Sequence, residues 1–216
     1  MYEAKAAAHR PARPTPAGSR EPFSPAVCRV GHMPLRIART NAEAHLYMEL
    51  NPCDNCGESE FTPDHSVIVA EGDLASRYAG ACPRCGASRE FVFRIPEDVI
   101  FPDPDEPVFG DDQPSVLIDA GEWLWVADLI ARSVPAEPGD DMNGDERHTV
   151  ATDLRTAAAA VGEAAKFIPA GAETVPADRI WSARGRAVYE DEPGRFRKIR
   201  LDAVQRTYRE VAERFR

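Results

Sequence analysis

The sequence predicts an α+β fold in which a small three-stranded module precedes an all-helical C-terminal domain. Apolar residues recur with a period of about two before position 96 and of about 3.6 after Ile118. Two cysteine pairs, Cys53–Cys56 and Cys82–Cys85, bracket the short alternating segments. The chain has 216 residues, of which 43% are hydrophobic, and this is enough for one ordinary domain with a small module. The composition therefore excludes wholesale disorder.

Residues 1–32 differ in composition from the rest of the chain. They contain five prolines, few large apolar residues and no helical or alternating period, so we predict a disordered tail. Its Ala and Arg content suggests an organelle transit peptide, and the alternative is a biological start at Met33. We favour the second explanation, because the ordered pattern begins directly at Met33. No signal-peptide core and no run of about 18 apolar residues is present, which favours a cytoplasmic protein of bacterial type.

Four of the five cysteines follow the spacing of a metal site. Two residues separate Cys53 from Cys56 and Cys82 from Cys85, and 25 residues lie between the pairs. A two-residue spacer lets both thiolates reach one ion, and the glycine after each pair permits the left-handed turn of such a knuckle. Two disulfides are the alternative, but the unpaired Cys28 and the lack of a secretory signal argue against them. The spacing therefore favours zinc, which prefers four ligands in a tetrahedron.

The motifs Cys-x-x-Cys-Gly and Cys-Pro-x-Cys-Gly closely resemble those of the zinc ribbon family. The resemblance covers residues 50–96, and with it we predict a zinc-ribbon module over residues 33–97. Four cysteines close the coordination sphere and no His-x-Glu sequence lies beside either pair, so we expect a structural rather than a catalytic ion. His65, in the spacer, is interpreted as structural or solvated. The predicted ligands of one Zn²⁺ are Cys53, Cys56, Cys82 and Cys85.

Three short strands are predicted around the cysteines. Residues 66–71 form the first, 71–73 a turn, and 77–79 a return strand into the second cysteine pair. Residues 89–95 alternate, with Phe91 and Phe93 on one face. So few strands do not hold together in water alone, and metal binding would supply the missing stability.

Residues 115–216 are predicted to form a helical domain. Asp119 caps the first helix, with Glu122 completing a capping-box pattern, and Pro135 ends it. A second helix covers about 146–167, a short one about 181–189, and a last one about 199–215, each with apolar residues three or four positions apart.

The charge of −10 is concentrated in the middle of the chain, where residues 101–147 carry thirteen acids against two bases. A Pro-rich acidic linker is predicted over 98–114 and a second acidic loop over 135–145. Both are either spacers or surfaces shaped for a basic partner. The candidate partner-binding residues are Asp103, Asp105, Asp111, Asp112, Asp140, Asp141 and Asp145.

The sequence lacks phosphate-binding loops and nucleophile motifs, so we expect no enzymatic activity. The favoured function is protein binding by an inhibitor, adaptor or immunity-type partner of a basic protein, with exposed aromatics such as Trp181 or Phe109 as interface anchors. An enzyme of unrecognised type is one alternative.

Another alternative is a nucleic-acid-associated zinc-ribbon protein, because Arg195, Arg197, Lys198 and Arg200 surround an aromatic side chain. We expect nucleic-acid binding to be absent, since residues 53–86 are mainly acidic. The sequence leaves the partner and the oligomeric state open.

Overall fold

The structure, a computed structural model, describes residues 35–98, 100 and 106–216. These belong to one compact unit that combines five α-helices with a three-stranded antiparallel sheet, which confirms the α+β class. The predicted tail over 1–32 and the candidate residues Asp103 and Asp105 lie outside the described residues. The elements are α1 Asn41–Leu50, β1 Asp64–Ala70, β2 Asp73–Ala81, β3 Ser88–Arg94, α2 Ala120–Ser133, α3 Gly144–Ala165, α4 Ala183–Asp191 and α5 Lys198–Glu213.

Helix α1 was not expected from the sequence. Thr40 caps it by accepting a hydrogen bond from the Glu43 amide at 3.1 Å. The spacing Thr-x-x-Glu at 40–43 is a helix-start signal that could have indicated this helix. Its length of 10 residues gives little periodicity to detect. Its apolar face, with Ala44 and Met48 buried, is stabilised mainly by packing against the sheet.

The sheet has the order β1-β2-β3, and each strand overlaps a predicted one. β2 extends beyond the predicted 77–79 at both ends, whereas β1 and β3 begin earlier than predicted and end one residue before the predicted 71 and 95. One face packs against α1. Tyr47 meets Phe93 edge to face at 5.6 Å between ring centroids, and the Tyr78 hydroxyl donates to Asn41 Oδ1 at 2.6 Å. Phe91 and Phe93 share this face, as the alternation predicted.

The four C-terminal helices lie near their predicted positions. Helix α3 packs against both α2 and α5, and α2 also packs against α4. Trp123 of α2 is fully buried, and Phe196, in the 3₁₀ turn before α5, is buried in the same cluster. That cluster also contains Met48 and Phe93, so the sheet, α1 and the C-terminal helices share one hydrophobic core.

Asp119 joins the starts of two helices. It is fully buried and caps α2, as predicted, by accepting from the amides of Gly121 and Glu122 at 2.9 and 2.8 Å. Its second oxygen accepts from the amides of Trp181 and Ser182, just before α4, at 2.9 and 2.6 Å. One carboxylate therefore satisfies four backbone donors that the ends of two helices would otherwise leave unpaired.

We expect Gly185→Ala to lower the free energy of unfolding by about 1–3 kcal/mol, the usual cost of overpacking. A Cβ at Gly185 would overlap the Asp119 carboxylate, which its four hydrogen bonds hold in place. Gly144→Ala is the matched control: a Cβ there meets no atom within 4 Å, so its effect should be neutral or stabilising. Urea unfolding of both variants measures the difference. Equal free energies of unfolding for Gly185→Ala and Gly144→Ala would show that α2 and α4 move apart easily to accept the added methyl group.

The described end of the predicted linker packs against the helices. Phe109 is buried against Trp123 at 4.8 Å between ring centroids, and the Thr40 hydroxyl donates to its carbonyl at 2.9 Å. The prediction that Phe109 is an exposed interface anchor is therefore wrong, because its ring fills a place in the shared core. Trp181, the other predicted anchor, is 39% exposed.

Candidate metal centre

The four predicted cysteine ligands lie together. Their Sγ atoms are all within 4.8 Å of one another, with Cys53 to Cys85 and Cys56 to Cys82 each at 3.6 Å. A tetrahedron with metal–sulfur bonds of about 2.3 Å has edges of about 3.8 Å. A disulfide bond is only about 2.05 Å long, so the alternative of two disulfides is wrong. The four thiols form a cluster with the dimensions of a site for one metal ion.

Each cysteine pair lies in a turn closed by backbone hydrogen bonds. In the first turn the Gly57 amide donates to the Cys53 carbonyl at 2.7 Å, and the Cys53 amide donates to the Glu58 carbonyl at 2.8 Å. Gly57 has a φ of 74°, a left-handed conformation that favours glycine. This explains the glycine after each pair. The second turn is built in the same way. The Gly86 amide donates to the Cys82 carbonyl, the Cys82 amide donates to the Ala87 carbonyl, and Gly86 has a positive φ.

Arg89 holds the first turn against the sheet. Its side chain is buried, and its guanidinium donates to the carbonyls of Met48, Asn51 and Glu60 at 3.2, 2.8 and 3.2 Å. It also lies over the ring of Phe61 at 4.3 Å. Arg89 thereby links β3 to the segments on both sides of the first cysteine pair. The sequence showed only a charge at the start of a strand, so this positioning role was missed.

The surroundings of Cys85 favour the form of the thiol that binds metals. The Asn55 side chain and then the Ala87 amide hold the pKa of Cys85 down to about 6, and the thiolate is the metal-binding state. Cys53 and Cys82 are buried, whereas Cys56 and Cys85 are more accessible. One side of the cluster is therefore packed against protein while the other faces outward.

The predicted acidic residues fall into two groups at opposite ends of α3. Asp140, Asp141 and Asp145 lie at its start and are exposed. Asp111 and Asp112 lie near its end, where Lys166 donates to the Asp111 carbonyl at 2.5 Å. A helix of 22 residues separates the two groups by about 30 Å. The structure therefore does not bring them together in one site.

Of the group at the start of α3, Asp141 and Asp145 line a concave surface of about 830 Å³. Its floor includes the apolar residues Val134, Met142 and Val150, and among the described lining residues there is no lysine or arginine. Burial raises the pKa of Asp153 at its edge. We call this surface the acidic hollow; its acids are Glu137, Asp141, Asp145, Glu146 and Asp153.

The group at the end of α3 is partly neutralised within the protein. The Asp111 carboxylate is 3.9 Å from Arg39 Nη1, and Asp112 is exposed. Neither residue lines the acidic hollow. Asp111 therefore has an internal partner that the sequence did not indicate.

The basic segment considered for nucleic-acid binding is largely paired with acids of the same chain. Arg195 forms two hydrogen bonds to Asp128, at 2.8 and 2.6 Å. Lys198 pairs with Asp202 at 2.8 Å, and Arg200 pairs with Glu192 at 3.0 Å.

Comparison with protein families, with curated proteins and with solved structures found no match for this chain. In the part of the chain that the structure describes, no helix has the length and apolar character needed to span a membrane. Among the described residues, the cysteine cluster is the feature with the clearest chemistry.

Proposed function

We propose that this protein is a non-enzymatic protein-binding protein, of inhibitor, adaptor or immunity type, that receives a basic partner on the acidic hollow. A structural zinc ion stabilises the module that carries α1 and the sheet. The observation that carries the binding proposal is the hollow itself, a concave surface with acids at its border and apolar residues in its floor.

Zinc is the ion that fits the cysteine cluster best. Four thiolates in a tetrahedron are typical of structural zinc and of iron–sulfur sites, and the single compact cluster, with two cysteine knuckles, favours one zinc ion. Four protein ligands leave no position for water, and this supports a structural role over a catalytic one. Elemental analysis of protein purified without added metal should find about one zinc per chain.

The acidic hollow suits a basic partner for two reasons. Its five acids outnumber the two cations beside it. Arg214 is 3.6 Å from Glu137, and the Arg147 guanidinium donates to the carbonyls of Met142 and Gly139. No ion pair within the described residues engages Asp141, Asp145 or Asp153. Unpaired surface charge of one sign attracts an opposite charge and raises the association rate. Met142, in the floor, is a flexible apolar side chain of the kind that adapts to a partner.

The ion pairs of the basic segment argue against the alternative of nucleic-acid binding. Three of its four cations are engaged by Asp128, Glu192 and Asp202, and cations that are already neutralised contribute less to phosphate contacts.

We expect neutralisation of the acidic hollow to slow association with the basic partner several-fold at low salt. The variant carries Asp141→Asn and Asp145→Asn, which line the hollow, and Asp140→Asn at the adjacent position in the chain. The partner is the basic protein that co-purifies from the native host. Long-range attraction acts mainly on the association rate and is screened beyond about 8 Å at physiological salt. Dissociation should therefore change less, and high salt should remove the difference.

A second triple variant with the same change in net charge is the control. It carries Asp178→Asn, Glu190→Gln and Asp191→Asn, which replace exposed acids outside the hollow. Association kinetics for both variants, at low and high salt, separate the local effect from the effect of total charge. Equal slowing by both would show that the hollow is not the binding surface.

A further inference from the structure

In the part of the chain that the structure describes, the outer edge of β1 is an exposed strand edge. β2 pairs with one side of β1, and among the described residues no strand or bridge occupies the other. Five of its seven residues are exposed. Proteins usually protect such an edge with lysine, proline or a bulge. β1 contains no lysine or proline, and no bulge, since its register with β2 runs without interruption from Asp64 to Ala70. Its one acidic side chain, Asp64, lies at the first residue of the strand.

An apolar row lies beside this edge on one face of the sheet. Val67 and Val69 of β1 are 57% and 73% exposed, and Leu74, directly opposite Val69 on β2, is 58% exposed. Alternate residues of a strand share a face, so these three side chains are neighbours. The row continues into a groove of about 510 Å³ lined in part by His65 and Val67. Backbone donors and acceptors and apolar side chains are thus uncovered at the same place.

We propose that a second copy of this chain pairs with β1 through its own β1, antiparallel, about a two-fold axis at Val67. The two three-stranded sheets then form one continuous six-stranded sheet. A two-fold interface places each residue opposite its symmetry-related position. In this register Val67 faces Val67 of the second copy, His65 faces Val69, Ser66 faces Ile68, and Asp64 faces Ala70.

The sequence of β1 is complementary to itself in this register. Its only acid, Asp64, lies opposite an alanine, so no like charges meet although the chain as a whole carries −10. Opposite residues of an antiparallel pair share a face, so the apolar row of one copy continues into that of the other. A shift of the axis to Ser66 would place Val69 and Ala70 opposite residues that precede β1, so they would have no partner within the strand of the second copy. The axis at Val67 uses all seven residues of the strand.

Disulfide trapping tests both the pairing and its register. In a Cys28→Ser background, Val67→Cys should form a covalent dimer under mild oxidation with oxidised glutathione. Directly opposite Cα atoms lie about 4.5–5.5 Å apart, within the range that a disulfide spans. Val69→Cys is the matched control, because in this register its two copies are about 13 Å apart. Val69 is the more exposed residue, so random collision would favour the control.

Sedimentation of the full-length chain over a wide concentration range provides the second measurement. The wild type should show a monomer–dimer equilibrium, and Val67→Lys should weaken it by about tenfold or more, since two like charges then lie directly opposite. Leu129→Lys, at a 54% exposed leucine of α2, should leave the equilibrium unchanged. A wild type that is monomeric at every concentration would overturn the proposal. Covalent dimers that form as readily with Val69→Cys as with Val67→Cys would overturn it as well.

Discussion

Cys82→Ser is expected to remove the bound metal and to lower the free energy of unfolding by several kcal/mol. Cys82 is 2% exposed, and its Sγ lies 3.6 Å from that of Cys56, so no water replaces the lost thiolate easily. Binding of a structural zinc ion contributes about 10 kcal/mol or more in small zinc modules, and loss of one ligand forfeits a large part of it. Metal content and urea unfolding measure the two effects.

Cys28→Ser is the control for this experiment, because Cys28 belongs to neither of the two Cys-x-x-Cys pairs in the sequence. It should keep the metal content of the wild type. A strong chelator should lower the stability of the wild type towards that of Cys82→Ser and should have little effect on the variant itself. A metal-free wild type that remains fully folded, or a Cys82→Ser variant with unchanged stability, would contradict a structural metal site.

Arg39→Met is expected to lower the free energy of unfolding by about 3–5 kcal/mol, the typical cost of removing one partner from a buried ion pair. The Arg39 guanidinium is 2.7 Å from Glu43 of α1 and 2.8 Å from Glu163 of α3. The side chains of Arg39, Glu43 and Glu163 are 6%, 0% and 4% exposed. Without Arg39, Glu43 remains as a charge without its partner inside the protein, while Glu163 keeps only Lys166 at 2.5 Å.

Arg77→Met provides the comparison with an exposed ion pair. Arg77 lies 2.9 Å from Glu90, but the two side chains are 40% and 49% exposed, so its loss should cost about 0–1 kcal/mol. Chemical unfolding of both variants measures the contrast. Adding Glu163→Gln to Arg39→Met should recover part of the lost stability, because it removes one of the two carboxylates that Arg39 had neutralised. Equal losses in the free energy of unfolding for Arg39→Met and Arg77→Met would show that the ion pairs of Arg39 are as well solvated as that of Arg77.

Local patterns in the sequence were sufficient for the cysteine cluster and for most of the secondary structure. Each cysteine pair and its glycine lie within five consecutive residues, so the turn and its left-handed glycine follow from local chemistry. Asp119 was recognisable as a helix cap because two of its hydrogen-bond donors, the amides of Gly121 and Glu122, are its neighbours in the chain. The helices after it have apolar periods long enough to detect.

Contacts between distant residues decided the remaining features. The Arg39–Glu163 pair joins positions 124 apart, and Arg195 reaches Asp128 across 67 positions. No local period encodes which charges meet in this way, so the sequence analysis gave Arg39 no role and assigned Arg195 to a basic patch. The burial of Phe109 against Trp123 likewise depends on where α2 lies.

Helix α1 and the edge of β1 also depend on contacts between residues that are distant in the sequence. Helix α1 is short and is stabilised by burying Ala44 and Met48 against the sheet, which is a tertiary effect rather than a propensity. The sequence indicated a strand over 66–71, but whether that strand has one neighbour or two depends on the order of the strands in the sheet. Spacing in the sequence determined the local chemistry of this protein, whereas packing determined which of its charges, aromatic rings and strand edges stay exposed.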